Sequence, residues 1–473
     1  RYSKKEHVMF VGRHQELEQL NQAYQENDFQ FTVIYGRRRI GKTSLINEFL
    51  KDKKAIYYVA LEENAEDNLK RFSDAISIFK NTDQGGKEKF ANFEECFKEI
   101  TRLAQEQRVI LVIDEFPYLA KAYPTISSML QSYIDHEFKE TNLFLILCGS
   151  SMSFMERQVL GYQSPLYGRR TLALKLEPFK LSEACEMLPK LSKEDAFIIN
   201  TVCSGVPQYL SYMSDSMSVA DNIKKNFLTK SGRLFDEPNN LLQQELRDPT
   251  NYNSIINAIA SGASKHSKIA QSAHLQTGPL TTYLNNLIDL GIVEKKLPVT
   301  EQKKSRSKNI VYRICDGMFR FWYTFVGKQA DLIERGLTDL AWVKVQKSLS
   351  DFMGPEFEKY SQDFMWSQDM NEKIVPNPFI HLGNWWGTDK RTHQQVELDI
   401  VGFSDDERDG YFGECKWKNE PISRSVLEKL ITNSEIFKYP IKHYYLFAKS
   451  GFTDSCQELA EKINCQLFTF EEI

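Results

Sequence analysis

The chain has 473 residues, 41% of them hydrophobic and 12% aromatic, and a net charge of −4. That is too long for one ordinary domain and too apolar for global disorder. It carries no overall basic field, so contact with nucleic acid would have to come from local patches. The eight cysteines show no CxxC spacing, which argues for reduced thiols in a cytoplasm and against a zinc or disulfide framework. Apolar runs such as LFLILC (143–148) are far short of a membrane span.

The first informative stretch is FTVIYGRRRIGKTSLINEFL, residues 31–50. An apolar strand leads into Gly36, Arg37, Arg38, Arg39, Ile40, Gly41, Lys42, Thr43 and Ser44, the P-loop pattern, and a helix with apolar spacing follows. The glycines let backbone N–H groups curl round phosphate oxygens, and the helix N-terminus adds its positive end. Lys42 is expected on the β/γ-phosphates and the Thr43 hydroxyl on Mg²⁺. RVILVIDEF (108–116) then supplies a buried strand ending in Asp114 and Glu115. Asp114 is placed for the Mg²⁺ shell and Glu115 for polarising the attacking water. Further strands read at 55–61, 143–151 and 171–178. Ser150 or Ser151 sits where the γ-phosphate would be sensed, or is an ordinary strand-end serine. Right-handed crossovers predict a parallel sheet sandwiched by helices.

FVGRHQELEQL (10–20), the P-loop, IDEFPYL, CGSS, SPLYGRRT (164–171) and SGVPQYL (204–210) together resemble the archaeal-type P-loop ATPases, relatives of the AAA+ and STAND ATPases. The resemblance runs over roughly residues 8–330. It implies that Gly12 and Arg13 lie near adenine, that Arg169 or Arg170 is offered to the γ-phosphate in cis or from a neighbouring subunit, and that Gly205 to Pro207 belong to a helical lid. Two basic residues after a glycine are also a common solvated loop.

Residues 181–248 read as lid helices. From 249 to 316, three short helices and two strands predict a winged helix-turn-helix. Its recognition helix carries Thr281, Thr282, Asn285 and Asn286 but no Arg or Lys to grip guanine. The wing is basic: Lys295, Lys296, Lys303, Lys304, Arg306 and Lys308 stand against Glu294 and Glu301. That composition suits sequence-independent phosphate contact, or is a solvated turn on a packing module. The aromatic block MFRFWYTFV (318–326) reads as core within linker helices spanning 317–349.

The last segment, 350–473, has a leading helix (352–366), strands at 379–387, 394–403 and 411–418, a helix at 424–437 and a strand at 443–451. In VELDIV, Glu397 and Asp399 are expected on one face, with Leu398 and Ile400 on the other. Asp399 then lies across from Glu414 and Lys416 in an antiparallel hairpin. Two carboxylates at short range call for a cation, and Mg²⁺ suits an all-oxygen site. It would polarise a phosphodiester while Lys416 steers or deprotonates water. Asp…Glu-x-Lys in this element order resembles the PD-(D/E)xK nuclease superfamily, in the form of a C-terminal domain of unknown function (type 234) fused to archaeal-type ATPases. The resemblance implies a further acid from the leading helix, Glu358, with Glu356 as the alternative; only one of them can face the site. Leu398 stands where the superfamily usually has Pro.

The expected architecture is a multidomain α/β protein. A P-loop NTPase parallel-sheet core (1–180) is followed by the helical lid, the winged helix and an α/β restriction-endonuclease-like domain. The expected cofactors are ATP and Mg²⁺ and the expected partner is DNA, with no membrane and with an oligomer open. The alternative function is an NTP-driven switch or scaffold whose nuclease-like domain only binds a partner or nucleic acid.

Overall fold

In the computed structural model, residues 10–80, 89–246, 248–302, 307–367 and 375–473 are described. Lys303, Lys304 and Arg306 of the expected wing lie outside them. The chain divides into two compact units. The first comprises Arg1–Pro189, Gly205–Met213 and Asp289–Gly291; the second comprises Lys190–Ser204, Ser214–Ile288 and Ile292–Ile473.

The first unit is built on five strands: β1 (Gln30–Tyr35), β2 (Ala55–Val59), β3 (Val109–Asp114), β4 (Leu143–Gly149) and β5 (Leu172–Lys175). All their pairings are parallel, in the order β2-β3-β4-β1-β5. Every residue of β1, β3 and β4 is buried. A parallel sheet covered by helices on both faces demands such unbroken apolar runs. One face packs on helices Ala65–Phe79 and Phe93–Glu106, whose N-termini are capped by the Asn64 and Asn92 side chains. The other packs on the P-loop helix, Lys42–Phe49, through Leu45, Ile46 and Phe49. β4 lies between the P-loop strand β1 and the acid-bearing strand β3. The ends of β1 and β3 are therefore one strand apart, leaving a crevice beyond their C-terminal edges.

In the second unit, helices Thr250–Ala260, His266–Ser272 and Thr277–Asp289 precede an antiparallel ribbon of β6 (Val293–Lys296) and β7 (Val311–Ile314). The aromatic block is buried as expected. Phe321 meets Phe227 at 5.0 Å and Phe352 at 5.6 Å between ring centroids. A helix of 29 residues, Thr338–Trp366, runs through Pro355 and so begins well before the expected boundary at 352. It covers a mixed sheet of β8 (Phe379–Thr388), β9 (Gln395–Ser404), β10 (Asp409–Lys416), β11 (Ile441–Ala448) and β12 (Gln466–Thr469). Strand order is β12-β11-β10-β9-β8; β8, β9 and β10 are antiparallel neighbours, and β10, β11 and β12 are parallel. The helix Asp454–Ile463 and strand β12 were not among the expected elements; both runs are short, although Cys456, Leu459, Ala460 and Ile463 keep helical spacing.

No helix among the described residues is long and apolar enough to cross a membrane.

Candidate functional site

The nucleotide cradle is set by backbone geometry. A Cβ on Gly36 would meet the Leu176 carbonyl oxygen at 2.6 Å, so no side chain fits there. Arg39 and Gly41 both take positive φ, 67° and 94°, curling the loop ahead of the helix. Lys42 is buried and its ammonium donates to the carbonyls of Gly36 (2.9 Å) and Arg37 (3.0 Å). Burial holds its pKa below the ordinary lysine value, with Glu115 and Asp114 among the groups that oppose this. The other loop arginines point elsewhere: Arg38 donates to the Tyr118 hydroxyl (2.8 Å) and Arg39 to the Tyr209 hydroxyl (3.2 Å).

At the end of β3, Asp114 is 5% exposed and its two oxygens have separate partners. Oδ1 accepts from the Glu115 backbone N–H (2.9 Å). Oδ2 accepts from the Tyr57 hydroxyl (2.9 Å) and lies 3.5 Å from the Thr43 hydroxyl. Oxygen donors Thr43 and Asp114 therefore converge as a Mg²⁺ site requires. Glu115 takes a left-handed conformation, φ 51°, and its Oε2 accepts from the Ser150 hydroxyl (2.9 Å) and N–H (3.2 Å). Ser150 is thus a holder of Glu115 in this structure.

The remaining expected residues of this unit fall into two groups. Arg13 is buried and bonds to the carbonyls of Ile40 (3.2 Å) and Glu177, with its guanidinium 4.9 Å from the Phe179 ring centroid. Gly12, at φ 68°, approaches Glu183 and Phe179 closely. The Gly-Arg pair therefore ties the P-loop to the chain after β5. Pro207 sits 3.9 Å from where a Cβ on Gly41 would stand, so the Gly-Val-Pro segment abuts the phosphate loop. Arg169 is engaged instead by Asp135 through a two-pronged pair (Nε to Oδ1, 2.9 Å; Nη2 to Oδ2, 2.6 Å). Arg170 beside it is exposed.

The second cluster lies in the other unit. Pairing of β8 with β9 steps from Gly383–Val401 to Trp385–Leu398, so one residue of β8, Asn384, stands against two of β9. This β-bulge falls at Asp399 and Ile400 and corrects the expected alternation: Leu398 packs in one cluster with Val401 and Phe412. Asp399 is turned inward, 9% exposed, with Oδ2 accepting from the Cys415 N–H (2.9 Å). The Lys416 ammonium lies 2.5 Å from Glu414 Oε1 and 3.7 Å from Asp399 Oδ2. Burial, then the charges of Glu414 and Glu358, push the Asp399 carboxyl well above the usual range. Burial opposes the Lys416 ammonium, but Glu414 and Asp399 outweigh it and hold its pKa above the ordinary lysine value.

The long helix gives its two acids different partners. Glu356 pairs with Arg320 at 3.2 Å. Glu358 faces the sheet and accepts from the Asn384 amide (2.9 Å), which also donates to the Asp399 carbonyl (3.0 Å). Burial raises the Glu358 pKa, while Arg313 and Lys296 work to lower it. Among the described residues, no three His, Cys, Asp or Glu side chains are set closely enough to hold a metal ion together. Glu358 is therefore linked to Asp399 through Asn384 without forming a three-carboxylate metal group with Asp399 and Glu414. Mg²⁺ is commonly bound through one or two carboxylates with water completing the shell, and Asp399 and Glu414 are the two that would hold it here.

The β6–β7 ribbon packs against this sheet. Arg313 pairs with Glu397 (3.1 Å), the Lys296 ammonium reaches Asn384 (3.4 Å), and Trp386 donates to the Asn309 carbonyl (2.9 Å). A cavity of about 780 Å³ opens here, lined by Lys296, Arg313, Arg320, Glu356, Glu358 and Glu397. On the preceding helix Asn286 turns inward to Tyr252, while Thr281, Thr282 and Asn285 are exposed.

Sequence reasoning missed Tyr57 and Asn384. Tyr57 sits in a strand whose alternation is served equally by Tyr57 and Tyr58, so nothing singled it out. Asn384 left a signal, a lone amide inside the apolar run HLGNWWG.

The strand order, the phosphate loop and the adjacent Asp114–Glu115 define the first unit as a P-loop ATPase. Residues 10–212 match the family described as an ATPase domain predominantly from Archaea, and residues 322–430 match one described as archaeal and bacterial proteins of unknown function. The uncharacterized protein MJECL04 of Methanocaldococcus jannaschii is 34% identical over 411 residues, covering 87% of this chain and 88% of that protein. The chain belongs to the same family as this relative, and its residues 10–212 form an ATPase domain of the archaeal type. The uncharacterized ATP-binding protein MJ0423 of the same organism is 53% identical over 47 residues, 10% of this chain and 80% of that one. The Walker-type ATPase paby2304 of Pyrococcus abyssi shares the fold, with TM-score 0.50 and 20% identity over 66% of this chain and 96% of that one.

Proposed function

We propose that the chain is a Mg²⁺-dependent ATP hydrolase whose second unit cleaves phosphodiester bonds in nucleic acid. The observation that carries the second half is the gathering of Asp399, Glu414 and Lys416 at a β-bulge, with Lys416 within 3.7 Å of both carboxylates. Oxygen donors at Thr43 and Asp114 support Mg²⁺ at the nucleotide, and ATP is the nucleotide in the name of the relative MJ0423.

At the first site Lys42 meets phosphate charge, and Glu115, once released from Ser150, orients water. At the second, Mg²⁺ held by Asp399 and Glu414 would supply Lewis-acid polarisation of a phosphodiester. The neighbouring carboxylates favour Lys416 as an ammonium. Its role is therefore to hold the nucleic-acid phosphate and the negative charge that develops there, not to take a proton from water. The three helices and ribbon after residue 249 support a winged-helix reading. Arg313 and Lys296 of that ribbon are turned to Glu397 and Asn384 of the sheet and line the cavity beside Glu358, and Lys295 and Lys308 remain exposed for DNA phosphates.

A second reading rests on Lys416 itself. An ammonium already paired with Glu414 suits a domain that docks a partner while ATP acts as a switch. Incubating the full chain with plasmid and single-stranded DNA, in Mg²⁺ or Mn²⁺, with and without ATP, separates the two. Cleavage that Glu414→Ala abolishes is expected. Intact DNA in every combination, with ATP hydrolysis indifferent to DNA, would establish the switch.

A further inference from the structure

Tyr57 has no part in the chemistry so far, yet its hydroxyl is aimed at the Asp114 carboxylate. It stands on β2, the edge strand, in register with Val112, two residues before Asp114 on β3. The pairing puts Tyr57, Val112 and Asp114 on the same face of the sheet, toward the P-loop helix. Packing there needs only the ring. The hydroxyl adds a 2.9 Å bond to Asp114 Oδ2, the same oxygen that lies 3.5 Å from the Thr43 hydroxyl.

The consequence for a metal follows from counting donors. When Thr43 turns a lone pair to a cation, its proton needs an acceptor, and Asp114 Oδ2 is the one in reach. Oδ1 is anchored by the Glu115 N–H, which fixes one end of the carboxylate but not its rotation. The Tyr57 hydroxyl fixes the other end. Partners that orient ligating groups in this way typically change metal affinity 10- to 100-fold when removed.

We infer that Tyr57 is a positioning residue for the divalent cation of the nucleotide site, acting through the Asp114 carboxylate. This rests on the reading of that site as a Mg²⁺–nucleotide site. The aromatic ring keeps its packing in Tyr57→Phe, so the variant removes the hydroxyl alone.

The test is Mn²⁺ binding to the full chain with ADP, followed by electron paramagnetic resonance, so that no turnover is required. Tyr57→Phe is expected to weaken Mn²⁺ by about 10-fold, leave metal-free ADP affinity unchanged, and lose its effect in an Asp114→Asn background. If wild type binds no Mn²⁺ with ADP, the reading of the site itself fails. If wild type binds Mn²⁺ and Tyr57→Phe lies within twofold of it, the inference fails while that reading stands. An equal loss of metal-free ADP affinity, or an undiminished effect beside Asp114→Asn, also overturns it.

Discussion

The nucleotide site and the Asp399–Glu414–Lys416 site treat their lysines in opposite ways. Lys42 sits on two neutral carbonyls, with no ion-pair partner among the described residues, and its pKa is depressed by burial. Lys416 is held by two carboxylates and its pKa is raised. A cation resting on carbonyl dipoles is poised for an incoming polyanion. A cation already neutralised must trade one partner for another when substrate arrives. The first site is thus preorganised for phosphate, whereas the second is organised around excess negative charge, which a divalent ion would relieve.

The sharpest way to break the comparison is at the nucleotide site. Lys42→Ala removes the buried ammonium proposed to meet phosphate, and Glu115→Gln removes the carboxylate proposed to orient water while leaving the cradle intact. Lys42→Ala is expected to abolish measurable nucleotide binding. Glu115→Gln should retain ATP and lower kcat by roughly 10²- to 10⁴-fold. Equilibrium binding of a fluorescent ATP analogue beside steady-state phosphate release distinguishes the two. Equal loss of binding in both variants would mean that the loop is no more preorganised than the second site.

At the second site the comparison makes a stability prediction. A carboxyl whose folded pKa is raised adds stability that is complete below its unfolded value. That stability is lost as pH climbs through the folded value. Asp399 and Glu358 both shift upward, so the folded second unit carries a penalty that grows from about pH 4 upward. Asp399→Asn removes the larger part of it while keeping an acceptor for the Cys415 N–H. Its unfolding temperature at pH 7 should exceed that of wild type by roughly 2 °C or more, with the gain fading toward pH 4. Mg²⁺ should narrow the gap by stabilising wild type alone. A variant less stable than wild type at pH 7 would show that Lys416 already compensates the cluster.

The two sites also differ in how much of them could be read beforehand. The P-loop is one contiguous stretch whose strand, glycines and helix each have a local cause, so the loop between β1 and its helix, and Asp114 at the end of β3, could be located from the sequence alone. Asp399, Glu414 and Lys416 were also found from spacing, because a hairpin brings them together whatever its detailed twist. Strand alternation placed Leu398 with Ile400, however, and the bulge at Asp399–Ile400 undid that. A bulge is set by cross-strand packing, here against Gly383 to Trp385 of β8, and leaves no mark in a period-two pattern. Asn384 and Tyr57 were hidden for a similar reason: their partners lie on other strands. Lys296 was legible as a charge, but not as one turned inward beside Arg313, since that depends on where Glu397 and Asn384 stand in a sheet further along the chain.

The smallest effect expected is at Arg169. The Gly-Arg-Arg stretch invites the reading that either arginine answers the γ-phosphate, but Arg169 is only half-buried and already spends both prongs on Asp135. The hydrogen bonds from Arg169 come first among the causes that hold the Asp135 carboxyl below the usual range. A carboxyl depressed in this way adds stability above its unfolded pKa, lost as pH falls through the folded value. Arg169→Ala should therefore cost about 0.5–1 kcal/mol at pH 7, a figure suited to a partly solvated pair, and progressively less below about pH 4. It should leave kcat for ATP within twofold of wild type. The exposed Arg170 has no such tie, so Arg170→Ala should preserve stability and lower ATP turnover if this stretch meets the γ-phosphate at all. A large loss of turnover in Arg169→Ala with stability unchanged would reverse the assignment and make the Asp135 pair a resting position from which Arg169 is released.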